Sequence, residues 1–352
     1  MEKNKRIYVD LHVLQTVPPS CINRDDSGSP KTAVYGGVRR ARVSSQSWKR
    51  AIREMFSKNF DESKLGVRTK KLVDMLASEI KKINSDIDDN KAEELAEKVL
   101  KLSGIETKNK EAKALFFLGN KQAHNLAELI VNNENASKKE AQAVLRKDHS
   151  VDIALFGRMV ADDPSLNADA SAQVAHSIST HQVDNEYDYF TAVDEMAPEN
   201  NAGAGMIGTI EFNSATLYRY ATIAVHGLYE ELGEDKEVTE KAVREFIRAF
   251  ALSMPTGKQN TFANRTQPGA MLVVLRNDQP VNLAGAFEKA VDSKTGYIDA
   301  SVAALKEYKN GICSKFVGAP VAEWNIGMGD EEMDLNGLLD VVVKAVATEI
   351  DG

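Results

Sequence analysis

Hydrophobic and polar positions change period several times along this chain, and each change marks an element. Ile7, Val9, Leu11 and Val13 alternate with Tyr8, Asp10, His12 and Leu14, the two-residue period of a strand with one face buried. Pro18 and Pro19 are expected to end it, since neither carries a backbone donor. Arg39 to Val43 reads as a short basic strand, after which Ser44 or Ser45 can cap a helix over about Gln46 to Phe56. In that helix Trp48, Ile52, Met55 and Phe56 turn toward a core. Gln46, Lys49, Arg50 and Arg53 fall on the opposite face at spacings of three and four residues.

From about residue 57 to 150 the sequence is rich in Lys, Glu, Ala and Leu, contains no proline, and places apolar residues at helical spacing, as in LVDMLASEIKKI and AEELAEKVLKL. This predicts a helical insertion. Near its end, Lys138, Lys139, Arg146 and Lys147 share a charged helix, a pattern that ordinarily belongs to a solvated face. Strand-like YFTAV and MIGTIEF then flank a tip of Pro, Asn and Gly, which predicts a long protruding hairpin over 184–212. Ala215 to Val225 reads as a strand and Thr239 to Ser253 as an amphipathic helix with Val243, Phe246, Ile247 and Phe250 inward. Pro255 to Gly269 is a polar loop, Met271 to Leu275 a buried strand, and the remainder is read as helix with short connections. Strands interleaved with helices, with one helical region inserted, predict an α+β fold.

Composition adds little to the fold but narrows the function. The 352 residues include 43% hydrophobic positions, enough for a large core. Cys21 and Cys313 stand far apart with no metal-ligand spacing, which suggests a reducing, cytoplasmic setting. No apolar run approaches a membrane span.

Charge is more informative. Although the net charge is -8, Ser27 to Arg53 contains no acid against seven Lys or Arg (Lys31, Arg39, Arg40, Arg42, Lys49, Arg50 and Arg53), and Phe250 to Asn277 is acid-free with Lys258, Arg265 and Arg276. Such segregation marks a local field suited to a polyanion. Gly36 and Gly37 allow close backbone approach, Ser44 and Ser45 offer hydroxyls at a helix start, and Lys49, Arg50 and Arg53 extend the positive surface. A GxxxxGK[ST] loop is absent, so a run of phosphates is favoured over a single nucleotide. The competing reading is a basic face that only meets solvent or the acidic insertion. The six histidines show no HExxH spacing, and His176 and His181 are read as hydrogen-bonding groups near the groove. Asp25 and Asp26 raise the alternative of a metal-dependent ribonuclease, because adjacent carboxylates beside a basic patch could hold Mg²⁺.

Four ordered blocks carry a family resemblance: CINRDDSGSPKTAVYGGVRRARVSSQSWKRAIR, VDIALFGRM, AHSISTHQVDNEYDYFTAVDE and GTIEFNSATLYRYATI. Together they resemble the CasC-family backbone subunit of the type I-E CRISPR-Cas Cascade surveillance complex. The resemblance implies an RRM-like (ferredoxin-like) palm made of residues 1–56, 151–183 and 213–352, helical fingers at 57–150 and a thumb hairpin at 184–212. It further implies a cytoplasmic, non-catalytic subunit without metal or cofactor that polymerises with copies of itself along CRISPR RNA, beside other Cascade subunits, and presents the guide to target DNA. By position, Ser44, Gln46, Lys49 and Arg53 would meet guide phosphates, with Arg39, Arg40 and Arg42 as helpers. Met159, Phe190 and Thr191 would lie at a displaced nucleotide; on composition alone Met159 would instead be a core residue. Lys258, Gln259, Asn264 and Arg265 are further guide-contact candidates, and Lys138 and Lys139 would attract target DNA. The related type III subunits keep the Asp25/Asp26 ribonuclease alternative in view.

Overall fold

The computed structural model describes residues 5–160, 163–192, 196, 206–329 and 333–352. The chain begins with strands β1 (Tyr8–Ser20), β2 (Thr32–Tyr35) and β3 (Val38–Val43) and helix α1 (Ser45–Phe56). Next come β4 (Gly66–Thr69), α2 (Leu72–Ile83), α3 (Asp89–Ser103), β5 (Thr107–Lys108), β6 (Glu111–Ala112), β7 (Phe116–Gly119), α4 (Asn120–Asn132) and α5 (Lys138–Leu145). The chain returns through α6 (Val151–Phe156), β8 (Ala172–Val174), β9 (Ser177–Ser179), β10 (Glu186–Ala192) and β11 (Met206–Ala224). It finishes with α7 (Val225–Glu231), α8 (Lys236–Leu252), α9 (Gln259–Phe262), β12 (Ala270–Arg276), α10 (Ile298–Lys315), β13 (Ala322–Ile326) and α11 (Leu335–Asp351).

The fold is α+β. Its main sheet runs β13-β12-β1-β11-β9-β3-β2, with β8 and β10 also paired to β11, and its ladders are antiparallel. Side-chain alternation sends Val9, Leu11 and Val13 of β1 into a core shared with α1, α8 and α11, while Leu14 joins Tyr218, Leu272, Phe287 and Leu305 on the other side. Both faces of β1 are therefore buried, where alternation in the sequence suggested one. Asp10 and His12, on the second face, are each about 1% exposed.

Pro18 and Pro19 do not end β1. The register shifts between Val17 and Ser20, and such an irregularity accommodates residues without a ladder donor. The two strands read at MIGTIEF and Ala215–Val225 are one continuous β11 of 19 residues, whose first half forms the hairpin with β10 and whose second half pairs with β1. The carboxy-terminal portion is not wholly helical, because β13 pairs with β12 from Met271↔Ile326 to Leu275↔Ala322. Its half-exposed AEWNI gives no clean alternation.

A second core gathers apolar residues of α2, α3, α4 and α5 with Phe116, Leu118 and Leu166. Residues 57–150 also contain strands, β4 paired with β7 and β5 with β6, each too short for its alternation to be read. Between the two cores lies a small cluster of Phe117, Ile153 and Ala168. Among the described residues no helix is long and apolar enough to cross a membrane.

Two buried polar side chains of β1, Asp10 and His12, bond to tyrosines of β11, and Asp10 also bonds the segment covering the sheet's second face. Asp10 accepts from the Tyr220 hydroxyl at 2.9 Å and the Val281 amide at 2.8 Å, and His12 Nδ1 lies 2.9 Å from the Tyr218 hydroxyl. Burial pushes the Asp10 carboxyl up to about 6 from 3.8, and pushes His12 down to about 3 from 6.5. These shifts oppose each other in acid. The folded chain takes up the Asp10 proton first, so Asp10 adds stability as pH falls from about 6; the unfolded chain protonates His12 first, so His12 subtracts stability below about 6.5. Asp10→Asn is expected to lose stability more steeply than the parent between pH 6 and 4, by at most roughly 3 kcal/mol. Urea titrations at each pH check this, and parallel stability curves for the two proteins would contradict it.

Candidate nucleic-acid interface

The acid-free segment begins as a self-contained turn. Asp25 Oδ1 accepts from the Ser27 amide at 3.0 Å, the Ser27 hydroxyl at 2.7 Å and the Ser29 amide at 3.0 Å. These bonds, the Ser27 hydroxyl foremost, hold its carboxyl below the usual range. Asp25 thus acts as a turn former, and among the described residues no cluster of three or more His, Cys, Asp or Glu could hold a metal. Gly36 and Gly37, with φ of 60° and 81°, close the β2–β3 hairpin. A side chain at Gly36 would strike the Glu288 carbonyl, so this pair serves the turn and its packing rather than an approach to phosphate.

Helix α1 follows β3 without a loop. Ser44 Oγ accepts from the Ser47 amide at 3.4 Å, and the Ser44 amide donates to Asn23 Oδ1 at 2.8 Å, which ties the cap to the preceding turn. The buried side fixes how the helix is turned. Trp48 Nε1 donates to Ser177 Oγ at 2.9 Å, and the fully buried Arg219 guanidinium lies 3.7 Å over the indole and donates to Gln15 Oε1 at 2.6 Å. Burial draws Arg219 down to about 9. With Trp48 anchored, Gln46 and Arg50 are exposed while Lys49 and Arg53 are half-buried on the outer side. At 1.5 Å per residue, Gln46 to Arg53 spans about 10 Å.

The cations of this region fall into three situations. Arg40 is internal: its guanidinium donates to the carbonyls of Tyr35 (3.2 Å), Ser179 (3.0 Å), Phe287 (2.9 Å) and Glu288 (3.3 Å). It is a strut between the sheet edge and the 283–288 segment, and alternation along β3 explains why it points inward while Arg39 is exposed. Arg50 and Arg53 have acid partners, Glu54 at 2.8 Å and Asp152 at 3.2 Å. Among the described residues Arg42 and Lys49 have none. Arg42 donates to the Thr32 carbonyl at 3.3 Å and lies 3.2 Å from His176 Nδ1, while Lys49 stands 6.0 Å over the Phe156 ring.

The second acid-free window joins the first. Gly257 approaches Ile22 so closely that a Cβ would sit 2.3 Å from its carbonyl oxygen, and one cleft is lined by Arg24, Asp25, Ser47, Arg50, Glu54 and Lys258, among others. Its rim is charge-balanced, because Asp25, Asp26 and Glu54 face Arg24, Arg50 and Lys258. Gln259 opens α9 and is exposed. Arg265, also exposed, donates to the Leu252 carbonyl at 3.2 Å. Asn264 is 2% exposed and its amide nitrogen has no hydrogen-bond partner among the described residues, so it is a buried group and not a surface contact.

The remaining guide candidates lie on other elements, Met159 just after α6 and Phe190 and Thr191 on β10. Met159 is 87% exposed, against the core position that its composition suggests. Its predecessor Arg158 is buried and donates to the carbonyls of Leu166 (3.0 Å), Phe117 (3.3 Å) and Leu145 (2.7 Å) and to Gln122 Oε1 (3.1 Å). That anchoring turns the next side chain outward. Phe190 is half-buried on the hairpin, opposite Gly208, whose missing Cβ leaves room for the ring. Thr191 is exposed and pairs with Ile207. The Pro, Asn and Gly tip read at 197–205 lies outside the described residues.

Residues 9–345 match the family described as CT1975-like protein. The chain belongs to this family. Two solved structures similar to it are a chain of a CRISPR RNA-guided surveillance complex, pre-nicking, 31% identical with a TM-score of 0.82, and a chain of a CRISPR RNA-guided surveillance complex, 29% identical with a TM-score of 0.63. In each case 96% of this chain and 99% of the other are covered. No curated protein matches the chain.

In this CT1975-like chain, Lys138 and Lys139 are exposed at the start of α5, where Ser137 and Glu140 form a capping box. They belong to the helical body and are not part of the α1 face. Sequence reasoning missed Arg68 and Phe117, which complete that face, and the exposed Tyr187 and Tyr189 of the hairpin. The tyrosines stood in the quoted hairpin block; Arg68 had no signal, because its neighbours are set by β4–β7 pairing. Ser44→Ala is expected to lower stability by about 1 kcal/mol through loss of the cap. Denaturant unfolding measures the change, and an unaltered midpoint would show that Asn23 alone holds the helix start.

Proposed function

We propose that this chain is the non-catalytic backbone subunit of a type I-E Cascade complex, that copies of it assemble along CRISPR RNA, and that it presents the spacer segment for pairing with target DNA. The main sheet with its covering helices would act as the RRM-like palm, the 57–150 region as fingers and the 184–212 hairpin as thumb. The reading is supported by the likeness to chains of CRISPR RNA-guided surveillance complexes over nearly the whole length. The single observation that carries it is α1: a capped helix, anchored through Trp48, that holds Gln46, Lys49 and Arg53 in a row on its outer side.

Ser44, Gln46, Lys49 and Arg53 take the phosphates, with Arg39, Arg42, Lys258, Gln259 and Arg265 extending the path. Contacts of this kind hold a strand without reading its bases. Met159, Phe190 and Thr191 offer apolar and aromatic surface to a nucleotide lifted from its stack. Lys138 and Lys139, on the separate helical body, are placed to attract target DNA rather than the guide. Asp25 and Asp26 are assigned no cleavage role, since the Asp25 oxygen facing its own turn already accepts three hydrogen bonds. The subunit works in the cytoplasm beside the other Cascade subunits.

The test is charge reversal on the outer side of α1. Gln46→Glu with Lys49→Glu leaves the Trp48 side untouched, and spares Arg53, whose loss would strand buried Asp152 without its cation. The variant is expected to lose guide RNA on purification, and the parent's affinity is expected to fall steeply with salt while varying little between guide sequences. Retention of guide by a folded double variant would overturn the assignment.

A further inference from the structure

The junction between the two cores holds more positive charge than the protein neutralises. Strand pairing sets Arg68 directly opposite Phe117, and the Phe117 ring is met by two guanidinium groups, Arg53 at 4.3 Å and Arg68 at 5.0 Å. Lys49 stands one turn before Arg53 on α1, and Arg68 is the charged neighbour that helps burial lower the Lys49 ammonium's proton affinity. Burial and the adjacent Arg53 do the same to Arg68. Three cations thus share one small region.

The carboxylate present there is Asp152, and its oxygens are already engaged. Oδ1 accepts from the Gly66 amide at 3.0 Å and the Ser150 hydroxyl at 2.7 Å, and Oδ2 accepts from Arg53 at 3.2 Å. The Arg68 side chain makes no hydrogen bond or ion pair among the described residues, although it is exposed and held in place by its stacking on Phe117. Lys49 and Arg68 therefore have no ion-paired acid among the described residues, Asp152 acting on Arg68 only as a nearby charge, and a guanidinium with its donors free is suited to a phosphate group.

We propose that Arg68 is a guide-binding residue that, with Lys49 and Arg53, clamps a phosphodiester of the RNA strand at the junction between the sheet and the helical body. This rests on the guide-RNA reading above. It adds a contact from β4, on the far side of the junction from α1, so that binding the strand also ties the two bodies together. Phe117 is the shared support that keeps both guanidinium planes from swinging away.

The test uses the full chain and a fluorescent single-stranded guide RNA, with affinity measured from about 50 to 200 mM salt. Arg68→Gln is expected to weaken binding roughly fivefold at the middle of that range and to reduce the slope of log affinity against log salt by about 0.7, the value for one lost phosphate contact on a single strand. Arg68→Lys should restore most of the slope, and thermal melting should show that both variants fold. A slope unchanged by Arg68→Gln, in a protein whose Gln46→Glu/Lys49→Glu variant does lose RNA, would overturn the clamp and leave the RNA reading intact. Parent protein without salt-dependent RNA binding would overturn both. A variant that keeps the guide normally and fails only in pairing with target DNA would show that the phosphate belongs to the DNA, and would overturn the guide assignment.

Discussion

The positive charge of Lys49, Arg53 and Arg68 persists because the acid between them, Asp152, cannot neutralise it. Asp152 is buried, accepts from an amide and a hydroxyl with one oxygen, and meets Arg53 with the other. Burial raises its carboxyl above the usual range, and the hydrogen bonds and Arg53 offset only part of that push; Arg53 is the cation it bonds directly, while it reaches Arg68 only as a nearby charge. Among the described residues Lys49 and Arg68 have no ion-paired acid, which leaves them open to an external partner. A carboxylate with a free oxygen at this point would collapse the cationic surface onto the protein itself.

Everything around α1 serves to hold that face outward. Arg219 lies between Trp48 and Phe250, a buried cation held by aromatic faces, an amide oxygen and a carbonyl in place of a carboxylate. Such an arrangement costs desolvation, more so because the Arg219 Nε has no hydrogen-bond partner among the described residues, and stacking between two aromatic faces offsets part of that cost. Arg40 and Arg158 play related parts at the sheet edge and at the junction, each surrounded by backbone carbonyls. Several arginines of this chain are thus internal fasteners, and their role is distinct from that of the exposed cations they help to position.

The distinction explains how much could be read in advance. A serine cap at Ser44 or Ser45, the buried Trp48 side of α1, the inserted helices and the α+β class followed from period and spacing, because these are local properties of consecutive residues. Arg40 could not be separated from Arg39 by composition, since only the pairing of β3 with its neighbours decides which of the two points inward. Met159 was open for the opposite reason: an isolated methionine suggests a core, and its exposure follows from Arg158 being gripped by carbonyls remote in sequence. Arg68 and Phe117 meet through pairing of strands about fifty residues apart in sequence, a separation no local pattern spans. The continuous β11 was hidden because its hairpin half is exposed and its sheet half buried, which gives one strand two different patterns.

The central claim is that an external polyanion supplies the charge this surface lacks. Its most direct test is to isolate the assembly formed by the unmodified chain in cells and sequence any nucleic acid that remains bound after extensive washing. The account predicts RNA of uniform length carrying repeat-derived ends and varied internal sequence. Protein recovered free of RNA, or carrying only random cellular fragments, would contradict it.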